Sequence, residues 1–96
     1  MRFLLLDDTD VSQAYAEYLR GLRKQAKLSR EALAKRSGVP ASTIKKFELT
    51  GQISFRQLLF LWQSLDSLER LYQLTQPQRN PSALPTTIEE VLKDEF

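Results

Sequence analysis

The 96-residue chain contains no cysteine and no histidine. Without cysteine there is neither a disulfide framework nor a thiolate nucleophile. Without histidine there is no imidazole base, and the usual zinc ligand sets cannot be assembled. Such a composition suits a reducing compartment. Long apolar runs are missing as well: the longest, Phe3 to Leu6 and Leu58 to Trp62, fall far short of the roughly 20 residues needed to span a bilayer. The N-terminus lacks the apolar stretch and small-residue cleavage site of a signal peptide. The expectation is a cytoplasmic chain without a membrane partner. Three carboxylates in the "DDTD" of residues 7–10 are too few, without further ligands in fixed geometry, for a carboxylate metal site. No convergent catalytic site, metal or cofactor is expected.

What is present is a 42% hydrophobic content, enough for the modest core of one small domain. The net charge of +2 conceals an asymmetry, because residues 18–50 hold nine cations against two anions while both flanks are acidic. A basic middle is the footprint of a polyanion site, since cations near phosphates release condensed counterions. The alternative is a solvated charged face.

Periodicity predicts five helices. Asp10 with Gln13 reads as a capping box before Val11, Ala14, Tyr15, Tyr18, Leu19, Leu22 and Ala26, giving a first helix over 11–26. Ser29 caps a brief second helix with Ala32 and Leu33 inward, and Gly38 stops it. Pro40 suits the start of a third helix, whose Ile44 and Phe47 face inward and which Gly51 closes. Ser54 with Gln57 opens a fourth helix with Phe55, Leu58, Leu59, Trp62 and Leu65 on its apolar face. Asp66 with Glu69 opens a fifth, carrying Leu68, Leu71 and Tyr72. The expected organisation is an N-terminal arm over 1–10, in which Met1 to Leu6 is compatible with a short strand, then a helical domain over 11–75. A linker over 76–85, "QPQRNPSALP", contains three prolines and reads as extended chain. The short amphipathic segment over 86–96 carries Ile88, Val91, Leu92 and Phe96.

The second and third helices, joined by a turn holding Gly38, have the spacing of a helix-turn-helix, whose second helix lies in the major groove of DNA. Here residues 19–65, through "LRKQAKLSREALAKRSGVPASTIKKFE", Gly51 and the apolar fourth helix, resemble the Cro/CI-type (XRE, lambda repressor-like) family. The resemblance implies an all-α, five-helix DNA-binding domain. It sets Ala41, Ser42 and Lys46 where the family's recognition helix reaches base edges, and Thr43 and Lys45 on flanks nearer phosphates. The chemistry agrees: Lys donates to guanine, Ser serves either base, and an Ala methyl meets the thymine methyl. Against this, Thr43 could simply satisfy backbone groups in the first turn, and exposed lysines are ordinarily solvated.

Arg30 stands where the family usually has Gln, a longer cation able to reach a phosphate. The resemblance also pairs Arg23 with Glu48 as an ion pair tying the first helix to the end of the third. "FELTG" makes the following loop one residue longer than in many members, and after it Gln52, Ser54 and Arg56 are candidate phosphate contacts, Ser54 more securely a cap. The wording "KFELTGQIS", with the proline-broken tail ending "TTIEEVLKDEF", resembles a narrower group, the HipB-type regulators of toxin–antitoxin operons. That likeness implies a homodimeric repressor on an inverted-repeat operator, associated with a HipA-like Ser/Thr kinase toxin; Ile88, Val91, Leu92 and Phe96, apolar among Glu89, Glu90, Asp94 and Glu95, are expected to dock on the toxin or on the chain's own dimer body. A stand-alone phage-type repressor and a helical protein-binding adaptor are the alternatives, since fold alone does not fix function.

Overall fold

The computed structural model describes residues 5–77, which form five helices in chain order: α1 (Asp8–Gln25), α2 (Arg30–Ser37), α3 (Ala41–Thr50), α4 (Phe55–Leu65) and α5 (Leu68–Gln73). No strand occurs among the described residues. Leu5 and Leu6 are exposed rather than paired, and the rest of the Met1 to Leu6 run, like the 78–96 region that includes Ile88, Val91, Leu92 and Phe96, lies outside the described residues.

α1 begins earlier than its spacing suggests. The Asp7 carboxylate accepts from the Asp10 N–H at 2.9 Å, and Asp10 accepts in return from the Asp7 N–H at 3.3 Å. Asp7 therefore replaces Asp10 as the cap, because an acidic residue three positions upstream offers the same capping chemistry. The shift also places Asp8 and Asp10 in the first turn, at the positive end of the helix dipole. Gln13, released from capping, donates its Nε2 to the Thr50 carbonyl at 3.1 Å. The far end of α1 closes in a Schellman motif: Leu28 N–H reaches the Arg23 carbonyl at 3.1 Å and Lys27 N–H the Lys24 carbonyl at 2.9 Å. The left-handed position of that motif is filled by Lys27, φ +58°, not by a glycine.

Ser29 caps α2 by accepting from Ala32 N–H at 3.0 Å, and Gly38, φ +82°, ends it. Pro40 precedes α3 with an extended ψ and no side-chain cap. Gly51, φ +78°, terminates α3, and a Cβ there would come within 3.2 Å of Ser12 backbone, so both conformation and close approach demand glycine. Ser54 caps α4 by accepting from Gln57 N–H at 3.1 Å.

α4 keeps Leu58, Trp62 and Leu65 of its expected face on the core but not Phe55. Phe55 is 70% exposed whereas Leu61 and Trp62 are buried. The run from Leu58 to Trp62 is apolar all round, so packing rather than periodicity selects the inner stripe. The cap of α5 is Ser67, which accepts from Glu69 N–H at 3.1 Å. Asp66 is occupied instead: it accepts from the Tyr18 hydroxyl, from Arg70 Nη1 at 2.7 Å and from Ser67 N–H at 2.6 Å. Leu71 packs on the core, while Leu68 and Tyr72 stay exposed.

One core holds the five helices together. Ala16 and Leu19 come from α1, Leu33 from α2, Val39 from the turn, Ile44 and Phe47 from α3, and Leu61 and Trp62 from α4. Each fully buried aliphatic or aromatic side chain contributes about 1.5–3 kcal/mol relative to exposure. Trp62 sits between the rings of Tyr15 and Tyr18, with centroids 5.7 and 5.5 Å away, and its indole N–H is satisfied by the Ser67 carbonyl at 2.7 Å. The result is that α3 packs against α1 and α2, which α4 braces in turn, with one face of α3 turned outward.

Candidate nucleic-acid interface

α3 is divided cleanly by burial. Ile44 and Phe47 are 1% and 2% exposed, whereas Ser42, Lys45 and Lys46 are exposed and Ala41 and Thr43 half-buried. The spacing 42, 45, 46, 49 traces one helical stripe, and its last member is Leu49, 64% exposed. Sequence reasoning did not single out Leu49; its place on the stripe of Ser42 and Lys46 was the available signal.

Past the Gly51 turn, Gln52 and Arg56 are exposed. Arg56 is not extended into solvent alone, since its guanidinium lies 5.6 Å from the centroid of the Phe60 ring. This cation–π contact holds an exposed charge near one position.

Behind α3 lies the charge cluster that fixes it. Arg23 on α1 donates Nε to Glu48 Oε2 at 2.7 Å and Nη2 to Oε1 at 3.0 Å, while its Nη1 donates to the Leu28 carbonyl at 2.8 Å. Arg30 at the start of α2 donates Nε to Glu48 Oε1 at 2.9 Å. The Glu48 side chain is 3% exposed. Burial alone would push its carboxyl up, but hydrogen bonds and charge from Arg23 and Arg30 outweigh burial and hold it below the usual carboxylate range. The structure therefore gives Arg30 a partner that its sequence position did not announce: it bridges α2 to α3 through Glu48.

Among the described residues, three ion pairs form, Arg23–Glu48, Arg30–Glu48 and Arg70–Asp66. Arg20, Lys24, Lys27, Lys35, Arg36, Lys45 and Lys46 have no carboxylate partner there, so most of the basic surplus of residues 18–50 remains uncompensated. A surface of this kind attracts a polyanion and loses affinity for it with salt. Asp7 and Asp10 serve as each other's caps. No helix among the described residues is long and apolar enough to cross a membrane.

The likeness to known proteins agrees with this geometry. No curated protein and no solved structure matches the chain. A family model described as a helix-turn-helix domain matches residues 14–81, which takes in every helix from the first buried turn of α1 to the end of α5. A short α2, a glycine turn and an outward-facing cationic α3, together with that match, show that the chain belongs to the helix-turn-helix domain family of DNA-binding proteins.

Proposed function

We propose that the protein is a sequence-specific transcriptional repressor that binds a double-stranded operator, with α3 in the major groove. Ser42, Lys46 and Ala41 then meet base edges, and Thr43, Lys45, Gln52, Arg56 and Arg30 meet the backbone. The observation that carries this reading is the outward stripe of α3, polar and cationic at Ser42, Lys45 and Lys46 and ending on Leu49, on a helix whose opposite side is locked by buried Ile44, Phe47 and Glu48. A helix read for sequence must be held rigidly from behind while its readers stay free of packing, and α3 meets the first condition with Ile44, Phe47 and Glu48 and the second at Ser42 and Lys46.

A single domain of this size covers one half-site and gains little specificity alone, so the working form is a homodimer on an inverted repeat with half-site centres about 34–36 Å apart or a multiple of that. The wording "KFELTGQIS" and the acidic, amphipathic "TTIEEVLKDEF" support a HipB-like place in a toxin–antitoxin operon. There the protein represses its own genes together with a HipA-type Ser/Thr kinase. Residues 76–85 act as a linker, and Ile88, Val91, Leu92 and Phe96 dock on that kinase complex, as in helix-in-groove recognition.

Gel shifts on the DNA upstream of the gene, repeated across salt concentrations, test the core of this reading. A specific, salt-dependent complex and a protected palindrome are expected. Binding without sequence preference, or a monomer by light scattering at micromolar concentration, contradicts it. Deleting residues 77–96 is expected to leave operator binding by the free protein intact and to weaken capture of the kinase complex; unchanged capture places the docking surface on the helical body.

A further inference from the structure

Leu49 is an apolar side chain in a place for which the fold gives no reason. It lies on the outward stripe of α3, 64% exposed, in the last turn before Gly51. Both of its chain neighbours are tethered. Arg23 and Arg30 grip the Glu48 carboxylate at 2.7 to 3.0 Å, and the Thr50 carbonyl accepts from Gln13 Nε2 at 3.1 Å. The Thr50 hydroxyl donates to the Lys46 carbonyl at 2.7 Å and accepts from the Gln52 N–H at 3.1 Å, fixing the same turn from within the chain. The backbone of Leu49 is therefore held in place while its side chain faces water.

What that side chain can meet is limited by its surroundings. Lys45 and Lys46, both exposed, stand four and three residues before it, on the preceding turn of the same face. A protein partner is poorly matched: interface cores are depleted of lysine, and the two ammonium groups would have to lose water along with the leucine. A phosphate is no better, because leucine offers no donor and only strips water from the anion. The major groove satisfies the whole set. Guanine edges and phosphates take the cations, and among the groups on the base edges the thymine 5-methyl is the apolar one. At 1.5 Å per residue, Leu49 lies about 4.5 Å beyond Lys46 along the helix axis, close to the ~3.4 Å step between base pairs.

We infer that Leu49 is a specificity-determining residue that packs on the 5-methyl of an operator thymine next to the base pair met by Lys46. This rests on the DNA-binding reading above. Any other base at that place removes the methyl contact and sets a polar edge or bare ring against the leucine, so the base pair is specified without a hydrogen bond.

The test uses the full-length protein and DNA sites that the wild type selects from a random oligonucleotide library. In a selected site each thymine is replaced singly by uracil, which removes the methyl and leaves the hydrogen-bonding edges unchanged. Wild type should lose about fourfold in affinity at one thymine of each half-site, the worth of one buried methyl at about 0.8 kcal/mol. Leu49→Ala should bind the thymine site at least as weakly as wild type binds the uracil site, and should lose nothing more when that methyl is removed. Its random-sequence affinity, salt slope, oligomeric state by light scattering and thermal melt should match those of wild type.

A wild type that selects a site yet is indifferent to uracil at every thymine overturns the inference and leaves the functional reading standing. If every uracil effect persists undiminished in Leu49→Ala, the methyl is met by another residue, such as Ala41, and the inference fails. A Leu49→Ala protein that loses its oligomeric state also overturns it, by assigning the side chain to a protein contact. A wild type that selects no sequence sinks the functional reading itself, and the inference with it.

Discussion

Arg23 and Glu48 face each other as a two-pronged pair, Nε to Oε2 at 2.7 Å and Nη2 to Oε1 at 3.0 Å, across the gap between α1 and the last turn of α3. Both side chains are nearly sealed from water, 9% and 3% exposed. Glu48→Ala strands two arginines, one of them buried, and is expected to cost about 3–5 kcal/mol. At about 4–8 °C per kcal/mol for a domain of this size, the melting temperature should fall by well over ten degrees. Replacing Arg23 and Glu48 together by apolar residues should cost less. A Glu48→Ala protein melting within a degree or two of wild type contradicts this account.

The same carboxylate gives stability a pH dependence of definite sign. Its folded pKa lies below the ordinary value of 4.5, so the folded state binds its proton more weakly than the unfolded chain does. The contribution is then fully present above about pH 5 and is lost as pH falls through 4.5 toward the folded value. Asp66 acts in the same direction from 3.8: the Tyr18 hydroxyl, then the Ser67 N–H, lower it against slight burial, with Arg70 adding to the effect. Denaturant midpoints measured from pH 7 to pH 3 should be level at first and then decline. In Glu48→Gln the decline should be shallower; an equally steep one assigns the acid sensitivity elsewhere.

Lys46 and Lys45 are neighbours on an exposed helix face with different expected roles. Lys46→Ala should cost about 1–3 kcal/mol on the operator and relax preference at one base pair. Lys45→Ala should weaken all sequences alike and lower the salt slope by about 1. Equal losses of Lys46→Ala on specific and random DNA would refute the assignment.

Lys27 occupies the left-handed position of the Schellman turn at φ +58°. An L-residue there is disfavoured by about 1–2 kcal/mol, against about 0.5–1 kcal/mol of extra chain entropy that glycine loses on folding. Lys27→Gly should therefore stabilise the fold by about 0.5–1 kcal/mol, visible as a rise of a few degrees in the melt. A fall instead would mean that the Lys27 stem packs to advantage over the end of α1.

Capping and turn chemistry made much of this fold legible in sequence. Ser29, Gly38, Gly51 and Ser54 mark helix ends through interactions within three or four residues, and they end helices where expected. The misreadings arise where two residues compete for one local role or where tertiary packing decides. Asp7 and Asp10 both suit a cap, as do Asp66 and Ser67, and the winner depends on what else each can reach, Tyr18 and Arg70 in the case of Asp66. Phe55, expected on the inner face, is exposed, and Leu61 is buried, because α4 offers apolar residues on every side. Arg30 on Glu48 joins residues 18 positions apart, a contact between helices that no local pattern encodes.

The uneven division of labour along α3 bears on how such a chain can change over generations. Its anchorage comes from Ile44, Phe47 and Glu48, from the Gln13 bond to the Thr50 carbonyl and from the tight seat of Gly51 on Ser12. None of these involves positions 42, 45, 46 or 49, whose side chains point away from the frame. Substitutions there are nearly neutral for folding, commonly within about 0.5 kcal/mol for exposed sites. The outward stripe can thus be rewritten one residue at a time with no repair elsewhere, so that lineages sharing one scaffold can come to present quite different surfaces.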